Sequence, residues 1–500
     1  MPYQPTNIYP CNIGIDVTEG LEFYFKVDNY DTINKFKIEI YDLFRNKKIY
    51  TIVRSVGQIQ NNKVVQGEQQ IIEIYDENEK QVYIDIYAYE NDLPVKGGYG
   101  NDSFCELDVS GYLVTLEQYE KSKYYKETPD YSNLTITEAN CFDYDNSGTI
   151  IKGFSAAGKA YFIDNPNAQL VIPYKNNGKN IIGIAKQAFK KSSYSNINLT
   201  SVVFPSCIRD IESNAFEGWS TLKTIYFNYG NSTIGSQCFL GCTGLTSLTL
   251  LDSINQIGDE AFSGCISLLE CRLSYTLTTI SSKLFYGCSK LESINFPDSV
   301  TTIKSSAFSN CTNLKTVVFN KNLTSIGAKA FEGIGIDVLE CVEGLQTISE
   351  NAFLNCIKLK TVNLPNSLSS IGQSVFQGCT NIEKLDIPFV GTSKESNGTI
   401  NSVLGYIFGT TSATTGVEQF YKVDKTSQRY LIPSKLTTVN ITNAEIIPIG
   451  AFSNCVNLTS ITLNEGITAL NEYSFYNCSK LEELIVPTTV TTIGEYAFGM

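Results

Sequence analysis

From residue 189 onward, apolar and polar positions recur at a fixed period. In the stretch 285–308, FYGCSKLESINFPDSVTTIKSSAF, Phe285 can be taken as position 0. Cys288 is then at +3, Leu291 at +6, Ile294 at +9, Phe296 at +11, Val300 at +15, Ile303 at +18 and Ala307 at +22. The same frame fits Phe189, Phe216, Phe239, Phe262, Phe285, Phe308, Phe331, Phe353 and Phe376, and resumes at Phe452, Phe475 and Phe498. Within each block the step is 23 residues, except for 27 after Phe189 and 22 after Phe331. A period of this size marks a solenoid, because one coil cannot bury its own apolar edge and stacked coils can. In each copy Leu291-x-x-Ile294-x-Phe296 alternates, which puts Ile294 and Phe296 on one face of a short strand. A proline often opens the turn that follows (Pro205, Pro297, Pro365, Pro388, Pro487). Val300 and Ile303, three residues apart, predict a tight 3₁₀-like return.

Position +2 is Gly218, Gly241, Gly264, Gly287, Asn310, Gly333, Asn355, Gly378, Asn454 and Asn477. Only glycine and asparagine occur there, and these accept positive φ most readily. The restriction predicts a left-handed corner in every coil.

The chain before the repeats divides in two. Residues 1–95 hold alternating runs rich in Ile, Tyr, Phe and Val, such as KFKIEIYDLF at 35–44 and KKIYTIVRS at 47–55, separated by turn clusters. This spacing predicts a small antiparallel β-sandwich. Residues 96–133 read as a turn-rich, Tyr/Lys-rich linker. Residues 134–188 read as a cap that leads into the first coil of a solenoid spanning 134–500. The segment Asp143–Gly148 has the spacing of the first half of a calcium loop, but Phe154 stands where that loop needs a bidentate glutamate. A hairpin turn is the reading adopted. Residues 388–447 interrupt the ladder. Tyr406, Ile407 and Phe408 are expected to pin this excursion onto the solenoid, and the polar stretches 393–401 and 410–416 are possible contact points. The fold class is therefore mainly β: a solenoid of 23-residue coils with a parallel sheet and short returns, preceded by a sandwich.

The cycle Ile371-Gly372 … Phe376, Cys379, Ile382, Leu385, Pro388 resembles the BspA-type leucine-rich-repeat family over about residues 135–500. Leu404-Gly405-Tyr406-Ile407-Phe408-Gly409 resembles an insertion that recurs in it. The hairpin from Ile38 to Tyr50 is loosely similar to fibronectin-III or immunoglobulin-like modules. The resemblance implies a surface or secreted binding and adhesion protein and does not name its ligand.

Composition narrows the chemistry. The chain of 500 residues has no histidine, which removes Ser-His-Asp and Cys-His catalysis and histidine metal sites. Lysine and arginine total 38 against 51 acidic residues, without a long basic run, so nucleic acid has no electrostatic footprint. No stretch approaches the apolar length of a membrane span. The first residues, MPYQPTNIYPCNIGIDV, lack the basic and apolar regions of a secretory signal. The last copy stops inside a coil, and the expectation is that its edge is continued or covered. Eight of the 15 cysteines occupy +3: Cys242, Cys265, Cys288, Cys311, Cys356, Cys379, Cys455 and Cys478. Parallel side chains on neighbouring coils stay about 4.8 Å apart, against about 3.8 Å between the Cβ atoms of a disulfide. Trp219 and Ile334 share the slot. The thiols are expected to be buried, reduced and metal-free. No cofactor and no enzymatic activity are expected.

The candidate binding face is the outward side of the parallel sheet, at +8 and +10: Thr224 and Tyr226, Glu270 and Arg272, Ser293 and Asn295, Thr361 and Asn363, Lys384 and Asp386. The expected partner is a protein or a surface glycan. A second reading is a phage tail or virion protein that recognises a host.

Overall fold

The computed structural model describes residues 134–166, 168–228, 230–410, 416–423 and 426–499, together with strand backbone between residues 14 and 97. In that N-terminal part Phe23–Asp28, Lys35–Asp42, Lys47–Ser55 and Ile71–Asp76 pair antiparallel in that order. The packing of the sandwich expected over 1–95, and the linker expected over 96–133, lie outside what is described. The chain forms two compact units. One holds Met1–Thr137, Val171–Asn180 and Phe204–Cys207; the other holds Glu138–Leu170, Ile181–Val203 and Ile208–Met500.

The second unit is a parallel β-solenoid. It opens with a hairpin, Phe142–Tyr144 against Ile150–Phe154. Asp145 makes the turn by accepting from the backbone N–H of Thr149 and Ile150, both at 3.0 Å, and from the Ser147 hydroxyl. These donors hold its carboxyl near a pKa of about 2, the Ser147 hydroxyl being the largest cause. The segment is a hairpin turn, as its sequence predicts.

Each coil then contributes two strands. The first is a triplet such as Ser293–Asn295, whose middle residue points inward; the second is a pair such as Thr302–Ile303. The pairs form a ladder of their own: Thr279–Ile280, Thr302–Ile303, Ser325–Ile326, Thr347–Ile348 and Ser370–Ile371 are joined in parallel register. The return opens with the expected 3₁₀-like turn, Val300 N–H donating to Pro297 O at 3.0 Å, but its second half, Thr302–Ile303, is a strand. Ile303 and its equivalents are pulled inward while the preceding Thr or Ser stays half-exposed, and that is strand geometry.

The phenylalanine at position 0 forms the core column. Neighbouring rings from Phe216 to Phe376 stack with centroids 5.4–6.0 Å apart. All are fully buried, and each contributes roughly 1.5–3 kcal/mol of burial. Left-handed residues flank this column on both sides. All ten +2 residues have positive φ, from +55° at Asn477 to +87° at Gly218. Position −2 is left-handed as well, in Asn214 (+60°), Gln237 (+57°), Glu260 (+60°), Lys283 (+53°), Ser306 (+56°), Lys329 (+56°) and Asn351 (+56°). The hydrogen bonds give the reason. The N–H groups of −2, 0 and +2 all donate to the next coil: Lys283 to Ser305 O, Phe285 to Ala307 O and Gly287 to Ser309 O, at 2.8–2.9 Å. Alternate peptides must point the same way along the stack, and a left-handed residue on each side of the phenylalanine turns them.

The +3 cysteines are donors as well as core side chains. The thiols of Cys242, Cys265, Cys288, Cys311, Cys356, Cys379 and Cys478 each donate to the carbonyl of the phenylalanine one coil back, at 3.1–3.5 Å. Trp219 uses its indole N–H on Phe189 O in the same way. Burial pushes the thiols of Cys242 and Cys288 up to about 12.

The excursion after Ile387 supplies a rung of its own. Lys384–Ile387 pairs directly with Thr438–Ile441 in parallel register, so the sheet closes across the interruption. On the phenylalanine side the gap is filled by the 3₁₀ turn Leu404–Ile407. Ser374 N–H and Phe376 N–H donate to Tyr406 O and Ile407 O at 2.9 and 2.8 Å, and Leu404 N–H donates to Ala451 O at 2.9 Å. Phe408 stacks at a tilt on Phe376, with centroids 6.4 Å apart. Tyr406, Ile407 and Phe408 are all buried, so they do pin the excursion. Behind the turn, the fully buried Gln419 accepts from Gly405 N–H at 2.7 Å and donates to Ala451 O at 3.1 Å. Gln419 belongs to the hairpin Val417–Val423 against Thr426–Ile432.

Candidate binding surface

The triplet strands place +8 and +10 outward and +9 inward, because side chains alternate along a strand. The candidate residues accordingly sit on outward positions, but in four separate sheets. Thr224–Tyr226 pairs with Ser201–Val203, Glu270–Arg272 with Ser247–Thr249, and Ser293–Asn295 with Thr316–Val318. Thr361, Asn363, Lys384 and Asp386 lie together in a five-stranded sheet of Val338–Glu340, Thr361–Asn363, Lys384–Ile387, Thr438–Ile441 and Ser460–Thr462.

Not all of these side chains are available to a partner. Arg272 grips both carboxylate oxygens of Asp252 at 2.9 and 3.1 Å, donates to Leu250 O at 2.8 Å and lies over the Tyr275 ring. Arg272 and Asp252 are each only 14% exposed, so Arg272 ties the solenoid wall together. Ser293 and Asn295 are exposed. In the five-stranded sheet, amide and carboxylate side chains alternate up the column. Asn363 Nδ2 donates to Glu340 Oε1 at 2.6 Å, Asn440 Nδ2 to Asp386 Oδ1 at 2.6 Å, and Lys384 reaches Asp386 Oδ2 at 3.0 Å.

Glu340 and Asn440 belong to this row, and counting from the anchors passes over both. The Phe331 copy is one residue short, which moves its outward position from 341 to 340. Asn440 enters only through the pairing of Asp386 across the excursion. The shortened copy was the available signal for the first; the alternation Leu436-x-x-Val439-x-Ile441, which restores the repeat and sets Asn440 between two inward residues, was the signal for the second.

Among the described residues, no three His, Cys, Asp or Glu side chains converge on a point that could hold a metal ion, and no helix is long and apolar enough to cross a membrane. Beneath the excursion a cavity of about 10 Å³, lined by Leu364, Ile371, Phe389, Leu404 and Ile407, has room for one water at most.

A continuous parallel stack, closed by backbone ladders and presenting side chains on an extended face, defines a solenoid repeat protein. The chain belongs to the family described as BspA type leucine rich repeat region, whose six-copy model matches residues 187–315, 278–402 and 427–500. It is similar to a leucine-rich repeat protein from Bacteroides ovatus ATCC 8483, with 21% identity, a TM-score of 0.43, and 72% of this chain and 90% of that chain covered. It is also similar to the pneumococcal vaccine antigen PcpA, with 19% identity, a TM-score of 0.36, and 72% and 95% covered. A leucine-rich cell surface protein from Faecalibacterium prausnitzii A2-165 matches with 19% identity, a TM-score of 0.32, and 71% and 94% covered. No curated protein matches the chain.

Proposed function

We propose that this is a non-enzymatic binding or adhesion protein that engages a protein partner through the outward side of its parallel sheet. Membership of the repeat family supports the binding role, and solenoids use such extended faces for partners. The observation that carries the choice of face is the five-stranded sheet from Val338 to Thr462, the longest uninterrupted run of triplet strands among the described residues. There Glu340, Asn363, Lys384, Asp386 and Asn440, with Thr361 beside Lys384, form one polar field; the first five are held by hydrogen bonds or an ion pair to one another and are thus pre-ordered for contact. Ser293 and Asn295 extend the candidate surface. Arg272 serves as a structural tie within the same wall.

The test uses the full chain on an array of cell-surface proteins and glycans, beside a Thr361→Arg/Lys384→Glu variant. A protein ligand that the variant loses supports the reading. A ligand bound equally well by the variant overturns the choice of face, and binding confined to glycans overturns the choice of partner.

A further inference from the structure

An asparagine followed by glycine can close on itself, because the glycine nitrogen has no Cβ beside it to hinder attack on the side-chain amide. The chain holds this pair twice, at Asn177–Gly178 and Asn397–Gly398. The second lies on the excursion. Asn397 is exposed, and its Oδ1 accepts from the backbone N–H of Ile449, 52 residues on, at 3.0 Å. That contact ties the excursion to the loop leading into the resumed coil at Phe452.

The same contact bears on reactivity. A donor on a carbonyl oxygen draws electron density from the carbon and stabilises the charge that develops when the carbon is attacked. Among the described residues, neither Asn397 Nδ2 nor Gly398 N–H has a hydrogen-bond partner, so the leaving and the attacking nitrogen are both uncommitted. Gly398 has φ +64°, and a Cβ built there would meet only Ile449 Cδ1, at 3.5 Å. Two Asn–Ser pairs differ at the nucleophile. Ser402 N–H donates to Thr399 O and Ser232 N–H to Arg209 O, both at 3.0 Å, so the nitrogens that follow Asn401 and Asn231 are engaged. Asn177–Gly178 forms the turn between Lys175–Asn176 and Lys179–Asn180, and among the described residues no N–H donates to the Asn177 side chain.

We infer that Asn397–Gly398 is a self-modification site, where the folded chain converts its own asparagine to isoaspartate and so releases the excursion from Ile449. The Gly398 nitrogen bonds to Asn397 Cγ and gives up its proton. The Cγ–Nδ2 bond breaks, and ammonia leaves with that proton. One water then opens the succinimide. Attack at Cγ yields aspartate, whose carboxylate still accepts from Ile449 N–H. Attack at the backbone carbonyl yields isoaspartate: the chain now runs through Cβ and Cγ, a methylene longer, and the side-chain amide that held Ile449 is gone. Solvent water is the one co-reactant. The residues involved are distinct from those of the sheet face, so each reading can fail without the other.

The full chain is aged at mildly acidic and mildly alkaline pH, both folded and in denaturing urea. Peptide mapping with fragmentation that resolves isoaspartate follows positions 397 and 177. Isoaspartate is expected to accumulate at 397 in the folded chain, faster at alkaline pH because the nitrogen attacks after losing its proton, and at least as fast as in urea. Asn397→Gln, which needs a larger ring, is expected to abolish the product there. Amide exchange at Ile449 is expected to rise about fivefold in the isoaspartyl chain and in Asn397→Ala alike, the loss of one net hydrogen bond. Asn397→Asp, which keeps an acceptor, is expected to exchange like the parent. Protection of Asn397 in the folded chain relative to urea overturns the inference, as does isoaspartate confined to 177. Exchange at Ile449 unchanged in the isoaspartyl chain overturns the release.

Discussion

Gly287→Ala isolates the backbone term at the coil corner. Gly287 has φ +71°, and a Cβ added there meets no other atom within 4 Å. The change therefore costs conformational strain alone, about 1–2 kcal/mol. Loss of unfolded-state freedom returns about 0.4–1 kcal/mol, which leaves a net destabilisation of about 0.8 kcal/mol at the mid-values. Gly287→Val places a β-branched side chain at the same φ and costs more. Gly378→Ala has φ +77°, but its Cβ would also collide with Asn355 Oδ1. The asparagine must leave its rotamer, for a further ~0.5–1.5 kcal/mol. Asn310→Gly, at φ +63°, is expected to be near neutral, since glycine accepts the same region. Ser306→Gly probes the other corner, where φ is +56°. Relief of strain outweighs the extra entropy of glycine there, for a net gain of about 0–1 kcal/mol. Guanidinium unfolding followed by circular dichroism reads all five as midpoint shifts at constant slope. A neutral Gly287→Ala, or a Gly378→Ala no costlier than it, would refute the steric argument.

Three further outcomes are expected. Ser474 is fully buried, and its hydroxyl has no hydrogen-bond partner in a slot where most other copies carry alanine; Ser474→Ala should stabilise by about 1 kcal/mol in the same unfolding assay. Gln419→Leu strands Gly405 N–H, while Ala451 O keeps the bond from Leu404 N–H, and should destabilise by roughly 1–3 kcal/mol, with hydrogen exchange rising first at Gly405. Burial pushes the thiols of Cys242, Cys288 and Cys478 up to about 12 in the folded chain, from an ordinary value of 9.0. A raised folded value favours the neutral form, so their contribution is complete below pH 9 and is lost as pH climbs toward 12. An alkaline titration of stability should fall across that window, and thiol reagents at pH 8 should react with these cysteines only after unfolding; rapid native labelling would contradict this.

Much of the solenoid is written in residue types that the backbone demands. Glycine and asparagine at +2 disclosed the left-handed corner because few other residues tolerate that φ when nothing compensates. The −2 corner has the same φ and left no trace, since Gln, Glu, Lys, Ser and Tyr all occupy it. There the inter-coil hydrogen bonds of the neighbouring positions impose the conformation, and composition carries no mark of it. Cysteine at +3 read as a small apolar side chain; its thiol-to-carbonyl bond depends on a partner 26 residues away in most copies, which a linear pattern does not show. For the same reason Thr302–Ile303 was hidden as a strand. Two residues are too few to display alternation, and only stacking makes them a ladder. On the binding face the outward positions were legible from period two. The engagement of Arg272 by Asp252 was not, because Asp252 lies in the turn of the preceding coil.

The left-handed −2 column also bears on how the protein can vary. Its φ stays between +53° and +60° from Gln187 to Tyr496 in every non-glycine copy, while the side chain there runs from amide through carboxylate and ammonium to phenol. Conformation at this position is inherited from neighbouring coils and does not depend on the residue itself. The edge can therefore be rewritten one coil at a time without disturbing the phenylalanine stack. For library design, it is a set of evenly spaced sites where diversity is cheap and the scaffold is indifferent.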